Sequence, residues 1–239
     1  MKCLILAGGF GTRLQPLIKD KPKPLLMVNK KPVITHLVDK IPEGMEIMVC
    51  TNKRFEADFI KWQSSLNRSV ALCVEDALAE EEKLGAIGAV EFWVRKRNIQ
   101  ESLLIIAGDN YFEFSLQDFI NTYDGENPLV AVRDVGDKEK AKQHGVIKLR
   151  RNRILEFCEK PAQPQSSIIA IACYILPATV LEYLPRYCSQ KQDNLGDFIA
   201  YLVNKREIHA FVFSGAWFDI GSTDSYLEAQ KDVGGEKQG

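Results

Sequence analysis

Several chemistries are ruled out by what this 239-residue chain lacks. Its six cysteines (Cys3, Cys50, Cys73, Cys158, Cys173 and Cys188) form no CxxC or CxxH pair. Most sit in apolar, strand-like runs such as Ile47-Met48-Val49-Cys50, so they are expected as small buried hydrophobes in a reducing compartment. The three histidines, His36, His144 and His209, are unclustered and supply neither a metal set nor an acid–base pair. No excess of one charge exists either. The 31 Lys and Arg balance 32 Asp and Glu to a net charge of −1, which argues against a nucleic-acid or membrane surface. The longest apolar stretch, Ile168 to Leu176, is too short to span a bilayer. Because the chain enters a strand directly after Met1, no signal peptide is expected, and a cytoplasmic location follows by elimination. There is no internal repeat and no low-complexity linker.

What is present is an alternation of short β-rich runs with longer helical segments. Strands are expected near 2–7, 46–51, 71–75, 102–107 and 128–132, and helices near 33–40, 54–67, 85–97 and 116–123. That order predicts an α/β fold: a Rossmann-like, mostly parallel sheet with helices on both faces. From residue 129 the pattern shifts to short strands, with Arg151-Asn152-Arg153 at a hairpin turn, so a small antiparallel extension is expected. Helices near 177–184 and 195–204, strands near 207–213 and 217–219, and a last helix over 223–232 complete the reading.

The chemistry begins where the first strand runs into Ala7-Gly8-Gly9-Phe10-Gly11-Thr12-Arg13-Leu14-Gln15-Pro16-Leu17, with Lys21-Pro22-Lys23-Pro24-Leu25 close behind. Glycines at 8, 9 and 11 leave backbone N–H groups open to an anion, and Arg13 and Lys23 add positive charge. The loop is not a Walker loop, since no Lys-Ser or Lys-Thr follows Gly11. Nor is it the dinucleotide fingerprint, because Leu14 stands at the third glycine position.

Ligands of open parallel sheets bind beyond the carboxyl ends of the strands. There Leu103-Leu104-Ile105-Ile106-Ala107 delivers Gly108-Asp109-Asn110. A carboxylate beside a phosphate loop repels the phosphate unless a divalent cation bridges the two, although the tripeptide alone is equally a turn. A second carboxylate, Asp219, lies in Trp217-Phe218-Asp219-Ile220-Gly221-Ser222; as an alternative it caps the last helix, a role Ser222 or Thr223 could also fill. In Glu159-Lys160-Pro161, Pro161 holds Lys160 in extended or turn geometry, either to present its ammonium or to end a solvated hairpin.

Taken in order, AGGFGTRL, PKPL, GDN, His144-Gly145-Val146, Glu159-Lys160-Pro161 and WFDIGS closely resemble the sugar-phosphate nucleotidyltransferases (NDP-sugar pyrophosphorylases) over nearly the whole chain. The resemblance implies a single domain over 1–232, with a nucleotide-binding part at about 1–127, an antiparallel sugar-phosphate-binding part at about 128–222, and a flexible tail at 233–239. It implies that Arg13 binds the β/γ-phosphates and Lys23 the α-phosphate, with both and Asp109 catalytic. Leu6, Ala7, Gly8, Gly9, Gly11, Thr12, Gly85 and Ala86 would complete the nucleotide site, and Asn110, Gly145, Glu159 and Lys160 the sugar-phosphate site. Asp109 and Asp219 would hold Mg2+. Relatives often carry L-G-T-A-G-A near the base, whereas this chain has Leu84-Gly85-Ala86-Ile87-Gly88-Ala89, and Ala86 offers no side-chain hydrogen bond. Asp193 to Phe198 lies where relatives place polar sugar contacts, though Asp197 is equally a helix-start carboxylate.

The reaction so implied is attack of a sugar 1-phosphate on the α-phosphorus of a nucleoside triphosphate, with pyrophosphate leaving. The ionised phosphate needs no general base, and catalysis rests on positioning and charge neutralisation. Thymidylyl or uridylyl transfer to glucose 1-phosphate and guanylyl transfer to mannose 1-phosphate are both open, as is a homo-oligomer. The contrasting reading is an inactive regulatory subunit that senses nucleotide sugars. Such a protein has no need of Arg13, Lys23, Asp109, Lys160 and Asp219 together.

Overall fold

The computed structural model describes residues 1–11, 21–189 and 194–234. Along the chain run β1 (Lys2–Leu6), β2 (Met27–Val28), β3 (Lys31–Pro32), α1 (Val33–Lys40), β4 (Ile47–Asn52), α2 (Glu56–Gln63) and β5 (Ala71–Glu75). There follow α3 (Ala86–Lys96), β6 (Leu103–Ala107), β7 (Asn110–Phe112), α4 (Leu116–Thr122), β8 (Leu129–Asp134) and α5 (Lys138–Ala141). Next come β9 (Gly145–Arg150), β10 (Arg153–Glu159), β11 (Ile168–Leu176), α6 (Ala178–Leu181) and α7 (Leu184–Cys188). Last are α8 (Leu195–Val203), β12 (His209–Val212), β13 (Trp217–Asp219) and α9 (Thr223–Gly234). The chain divides into two compact units. A glycine-loop unit takes Cys3–Lys83, Ala107–Ser115 and Gly215–Gly239, and a hairpin unit takes Met1–Lys2, Leu84–Ile106 and Leu116–Ser214.

In the glycine-loop unit three parallel strands lie in the order β5-β4-β1, with Leu6 opposite Cys50 and Asn52 opposite Glu75. The central strand β4 is buried at all six positions, as a parallel strand covered on both faces requires. Val33, Ile34, Leu37 and Val38 of α1 and Phe59 and Trp62 of α2 are buried. The Trp62 indole N–H donates to Thr35 Oγ1 at 2.8 Å, so the one polar atom of that ring is satisfied. Asn29 and Lys30, both at positive φ (47° and 62°), make the two-residue turn between β2 and β3, as the twist of a tight hairpin demands. A second apolar cluster (Leu26, Val28, Val33, Tyr111, Phe218, Ile220 and Ala229) packs β7, β13 and α9 onto this hairpin.

The hairpin unit orders its strands β6-β11-β8-β12-β10-β9. Strand β11 runs antiparallel to both β6 and β8, β12 is parallel to β8, and β10 is antiparallel to β12 and β9. The β9–β10 turn is Arg151-Asn152, with Arg151 at φ 59°, where the sequence places it. The helix expected over 177–184 is instead two short helices, because Pro185, the second residue of α7, has no N–H to extend the preceding turn. The parallel strands, their helices and the antiparallel portion together make the mixed α/β fold that the sequence implies.

The tail expected from residue 233 lies mostly outside the described residues, α9 extending through Gly234. Among the described residues no helix is long and apolar enough to cross a membrane. Cys3, Cys50, Cys73 and Cys173 are buried, Cys158 is exposed, and none of the six cysteines is in a disulfide.

Candidate functional site

Strand β1 ends at Leu6 and hands over to Ala7, whose N–H donates to Cys50 O at 2.7 Å. This bond carries the strand ladder into the glycine loop. Asn52, at the end of β4, donates from Nδ2 to Gly8 O at 3.0 Å and accepts the Phe55 N–H at 3.2 Å. Its side chain therefore fixes the loop's first peptide and caps the turn leading to α2. A Cβ on Gly9 would meet nothing within 4 Å, so open space lies beside the loop. Gly11, at φ +69°, is a true glycine position, and a Cβ there would sit 3.3 Å from Lys23 Cγ. The loop thus lies against the stem of Lys23. Thr12 and Arg13 fall outside the described residues.

Lys23 opens a short 3-10 turn, Lys23–Leu25, and its Nζ stands 3.9 Å from Asp109 Oδ2. The lysine side chain is 15% exposed and the aspartate 31%, so the ion pair is partly buried and still reaches solvent. Asp109 is placed by a close backbone approach: Gly108 N–H donates to Leu6 O at 2.8 Å, and a Cβ on Gly108 would fall 2.9 Å from that oxygen. Only glycine permits that approach. On the far side, β7 and β13 pair antiparallel with Asn110 opposite Asp219, and the Ile220 N–H donates to Asp109 O at 2.9 Å. Two aspartates far apart in sequence are therefore neighbours along paired backbones. A Cβ on Gly221 would meet Asp219 Oδ1 at 3.1 Å, so this glycine keeps room for the carboxylate. Asn110 is 3% exposed and accepts the Trp217 indole N–H at 3.0 Å.

Could these residues hold a metal? Among the described residues no group of three or more His, Cys, Asp or Glu side chains does so unaided. Two aspartates with hard oxygen donors suit magnesium, which commonly takes one or two carboxylates and fills its remaining positions with water and substrate phosphate. Asp109 and Asp219 fit that pattern.

The other sequence-derived residues gather in the hairpin unit. Gly145 begins β9 opposite Glu159 at the end of β10. A Cβ on Gly145 would overlap the Phe157 ring, and a Cβ on Gly196 would overlap Glu159 Oε2. The Glu159 side chain, 15% exposed, thus lies against the backbone of two glycines, one of them in the first turn of α8, which Asn194 caps. Lys160 adopts φ +45°, a left-handed turn rather than an extended strand end, and its N–H donates to His144 O at 3.1 Å. Its Nζ is 3.7 Å from Glu159 Oε1, and its side chain is half exposed.

Burial holds the His144 pKa below the usual imidazole value; Lys160 pushes it the same way and Glu159 opposes. Gly85, at φ +76°, precedes α3, and Ala86 is the first residue of that helix. Asp197 lies in the first turn of α8, and Asp193 is outside the described residues.

The structure therefore brings Leu6, Ala7, Gly8, Gly9, Gly11, Lys23, Asp109, Asn110 and Asp219 into one unit and Gly145, Glu159 and Lys160 into the other, with Gly85 and Ala86. Two polar residues beside the loop escaped the sequence reading: Asn52 and Glu75, buried at the ends of β4 and β5. The only available signal was a polar residue closing an otherwise apolar strand.

The chain as a whole is similar to several known proteins. The sequence model described as "Nucleotidyl transferase" matches residues 2–236. The bifunctional protein GlmU of Methanocaldococcus jannaschii is 26% identical over 237 residues, 97% of this chain and 54% of that protein. The mannose-1-phosphate guanyltransferase of Schizosaccharomyces pombe is 30% identical over 243 residues, 95% of this chain and 62% of that protein. The chain thus spans little more than half the length of these curated relatives. Among solved structures, a Bacillus anthracis protein assigned as a glucose-1-phosphate thymidylyltransferase, in complex with sucrose, matches with a TM-score of 0.86 at 25% identity. That match covers 100% of this chain and 97% of the other. A UDP-glucose pyrophosphorylase complexed with UDP-glucose shares the fold, with a TM-score of 0.79 at 23% identity and 97% coverage of each chain.

Proposed function

This chain belongs to the nucleotidyl transferase family, and we propose that it joins a nucleoside triphosphate to a sugar 1-phosphate, giving an NDP-sugar and pyrophosphate. The observation that carries this reading is Lys23 Nζ at 3.9 Å from Asp109 Oδ2, beside the glycine loop and next to the backbone of Asp219. One cation and two carboxylates in the unit that carries the glycine loop suit a polyphosphate with a divalent ion. They do not suit a protein nucleophile. A phosphate oxygen of the sugar 1-phosphate bonds to the α-phosphorus as the bond from that phosphorus to the bridging oxygen breaks, and pyrophosphate carries away the electron pair.

In this reading Gly8, Gly9 and Gly11 cradle the triphosphate with backbone N–H groups, together with Leu6, Ala7 and Thr12. Lys23 neutralises charge gathering on the α-phosphate, and Arg13 does the same for the departing β/γ-phosphates. Asp109 and Asp219 hold Mg2+, which when bound neutralises phosphate charge. Glu159, Lys160, the Gly145 backbone and Asn110 are assigned to the sugar 1-phosphate, and Gly85 and Ala86 to the nucleotide. The nucleotide then occupies about 1–127 and the sugar phosphate about 128–222 of a domain over 1–232. Glucose or mannose 1-phosphate is the acceptor, and UTP, dTTP or GTP the donor. Cysteines that are buried and unbridged support a reducing, cytoplasmic setting.

The test is pyrophosphate release from a panel of nucleoside triphosphates and sugar 1-phosphates with magnesium, using the wild type and Asp109→Ala. Release from at least one pair, lost in a folded Asp109→Ala protein, is expected. A wild type that binds nucleotide yet releases no pyrophosphate from any pair would instead be a sensor, and near-normal turnover by Asp109→Ala would remove the metal role.

A further inference from the structure

The peptide that joins Gly8 to Gly9 has two sterically accessible orientations, and one buried side chain decides between them. Neither glycine is at positive φ, yet both can reach it without a Cβ penalty, so the linkage between them can turn over. Asn52 closes β4, is fully buried, and donates from Nδ2 to Gly8 O at 3.0 Å. Its Oδ1 accepts the Phe55 N–H at 3.2 Å at the start of the turn into α2. A backbone N–H only donates, so Oδ1 must face Phe55, and the amide NH2 is left for the Gly8 carbonyl. The backbone after β4 thus fixes which end of Asn52 meets the loop.

In a trans peptide the C=O and N–H point in opposite directions. With Gly8 O turned toward Asn52, the Gly9 N–H is directed away from the end of β4. Gly9 is exposed, a Cβ on it would meet nothing within 4 Å, and among the described residues no group accepts its N–H. Turned over, the same peptide would offer a carbonyl oxygen where it now offers a donor. Reversal would also bring the N–H toward the ends of β4 and β5. There Glu75, 7% exposed, stands opposite Asn52, with Oε1 3.1 Å from the place of a Gly8 Cβ. A carboxylate attracts an N–H, so Glu75 favours the reversed peptide and the Asn52 donor opposes it.

We propose that Asn52 is a positioning residue for the nucleotide: by holding Gly8 O it keeps the Gly9 N–H directed at an oxygen of the bound nucleoside triphosphate. The inference rests on the nucleotidyl-transfer reading for its ligand. Asn52 touches neither the reacting atoms nor the metal; it acts through the loop. Losing the clamp exchanges one attractive contact with the ligand for a repulsive one, and leaves Lys23 and the two aspartates in place.

The experiment uses Asn52→Ser. Serine caps about as well as asparagine, so its hydroxyl keeps the Phe55 contact, but it is too short to reach Gly8 O. UTP, dTTP and GTP are each titrated with magnesium, without sugar 1-phosphate, into 15N-labelled wild type and variant. In the wild type the triphosphate that binds is expected to move the Gly9 amide proton downfield, as a new hydrogen bond does. In Asn52→Ser that shift is expected to be lost and Kd to rise ~10-fold or more. With the sugar 1-phosphate that the panel identifies, KM for the triphosphate should rise in step, while KM for the sugar 1-phosphate stays within about twofold. A merely structural role would not split the two KM values. An unmoved Gly9 amide in saturated wild type, or an unchanged Kd in the variant, overturns the proposal. If the variant does not fold, the wild-type Gly9 amide alone decides. If no donor turns over, the transfer reading fails, while Kd and the amide shift still decide the role of Asn52. Failure of all three triphosphates to bind the wild type overturns both.

Discussion

The Trp217 indole N–H donates to Asn110 Oδ1 at 3.0 Å and so ties the strand that ends in Asp219 to the strand that follows Asp109. The bond joins residues on β13 and β7, and its partner Asn110 is 3% exposed. Trp217→Phe removes the donor while keeping much of the aromatic surface. It is expected to lower unfolding free energy by about 1 kcal/mol, the net worth of one such bond. Loosening the β7–β13 pair should also raise the magnesium concentration needed for half-maximal pyrophosphate release ~10-fold, as removal of a support behind a metal ligand commonly does. Denaturant unfolding and a magnesium titration read the two effects separately. Loss of stability with an unchanged magnesium requirement would leave the bond a purely structural role.

Gly221 acts on the same carboxylate from the other side. Its φ is not in the left-handed region, so Gly221→Ala strains no backbone, but the new Cβ would stand 3.1 Å from Asp219 Oδ1 and press on it. The expected phenotype is a ~10-fold or greater rise in the magnesium requirement, with stability changed by less than about 1 kcal/mol. Calorimetric titration of magnesium with a non-reacting triphosphate analogue, beside a thermal melt, checks both. Unaltered magnesium affinity would place Asp219 outside the metal site.

The two aspartates were legible as positions because each closes or follows a recognisable apolar run, Leu103–Ala107 for Asp109 and Trp217–Phe218 for Asp219. Their adjacency was hidden, since Asp219 meets Asn110 only once β13 has returned from far along the chain to pair with β7. Glu75 and Asn52 were illegible for a different reason. A lone polar residue ending an apolar run looks like a solvated strand end, and only the approach of Gly8 buries it as a loop partner. Pro161 leaves Lys160 open to extended or turn geometry, and no local pattern announces its left-handed φ of +45° or the hydrogen bond from its N–H to His144 O. Likewise the hairpin at Arg151-Asn152 was plain in sequence, whereas the parallel pairing of β12 with β8 was not.

His144 gives the fold a pH dependence of definite sign. Burial lowers its pKa in the folded chain, Lys160 adds to that, and Glu159 opposes. Between the lowered folded value and the ordinary imidazole value near 6.5, the unfolded chain binds more protons than the folded one, so stability rises with pH across that window. The contribution is fully present above about pH 6.5 and is lost progressively as pH falls below it. Melting temperature should therefore drop between pH 7 and pH 5.5 by more in the wild type than in His144→Asn, which has no titrating ring. Parallel pH curves for the two proteins would assign the acid sensitivity elsewhere.

Gly196 offers a test in which helix energetics and site geometry point in opposite directions. It lies in the first turn of α8, where exchanging glycine for alanine commonly favours a helix by ~0.5–1 kcal/mol. Yet the new Cβ would overlap Glu159 Oε2, whose side chain is only 15% exposed and has little room to retreat. Gly196→Ala is therefore expected to keep or gain helix stability while displacing the glutamate. If Glu159 holds the sugar, KM for the sugar 1-phosphate should rise by on the order of tenfold or more, because a catalytic assembly is sensitive to ångström-scale misplacement. KM for the triphosphate should stay within about twofold, since Gly8, Gly11 and Lys23 belong to the other compact unit. Steady-state kinetics with each substrate varied in turn checks the split. A variant whose two KM values both match the wild type would show that the Glu159 carboxylate does not touch the sugar, and one in which both rise together would point to general disruption rather than to the loss of one contact.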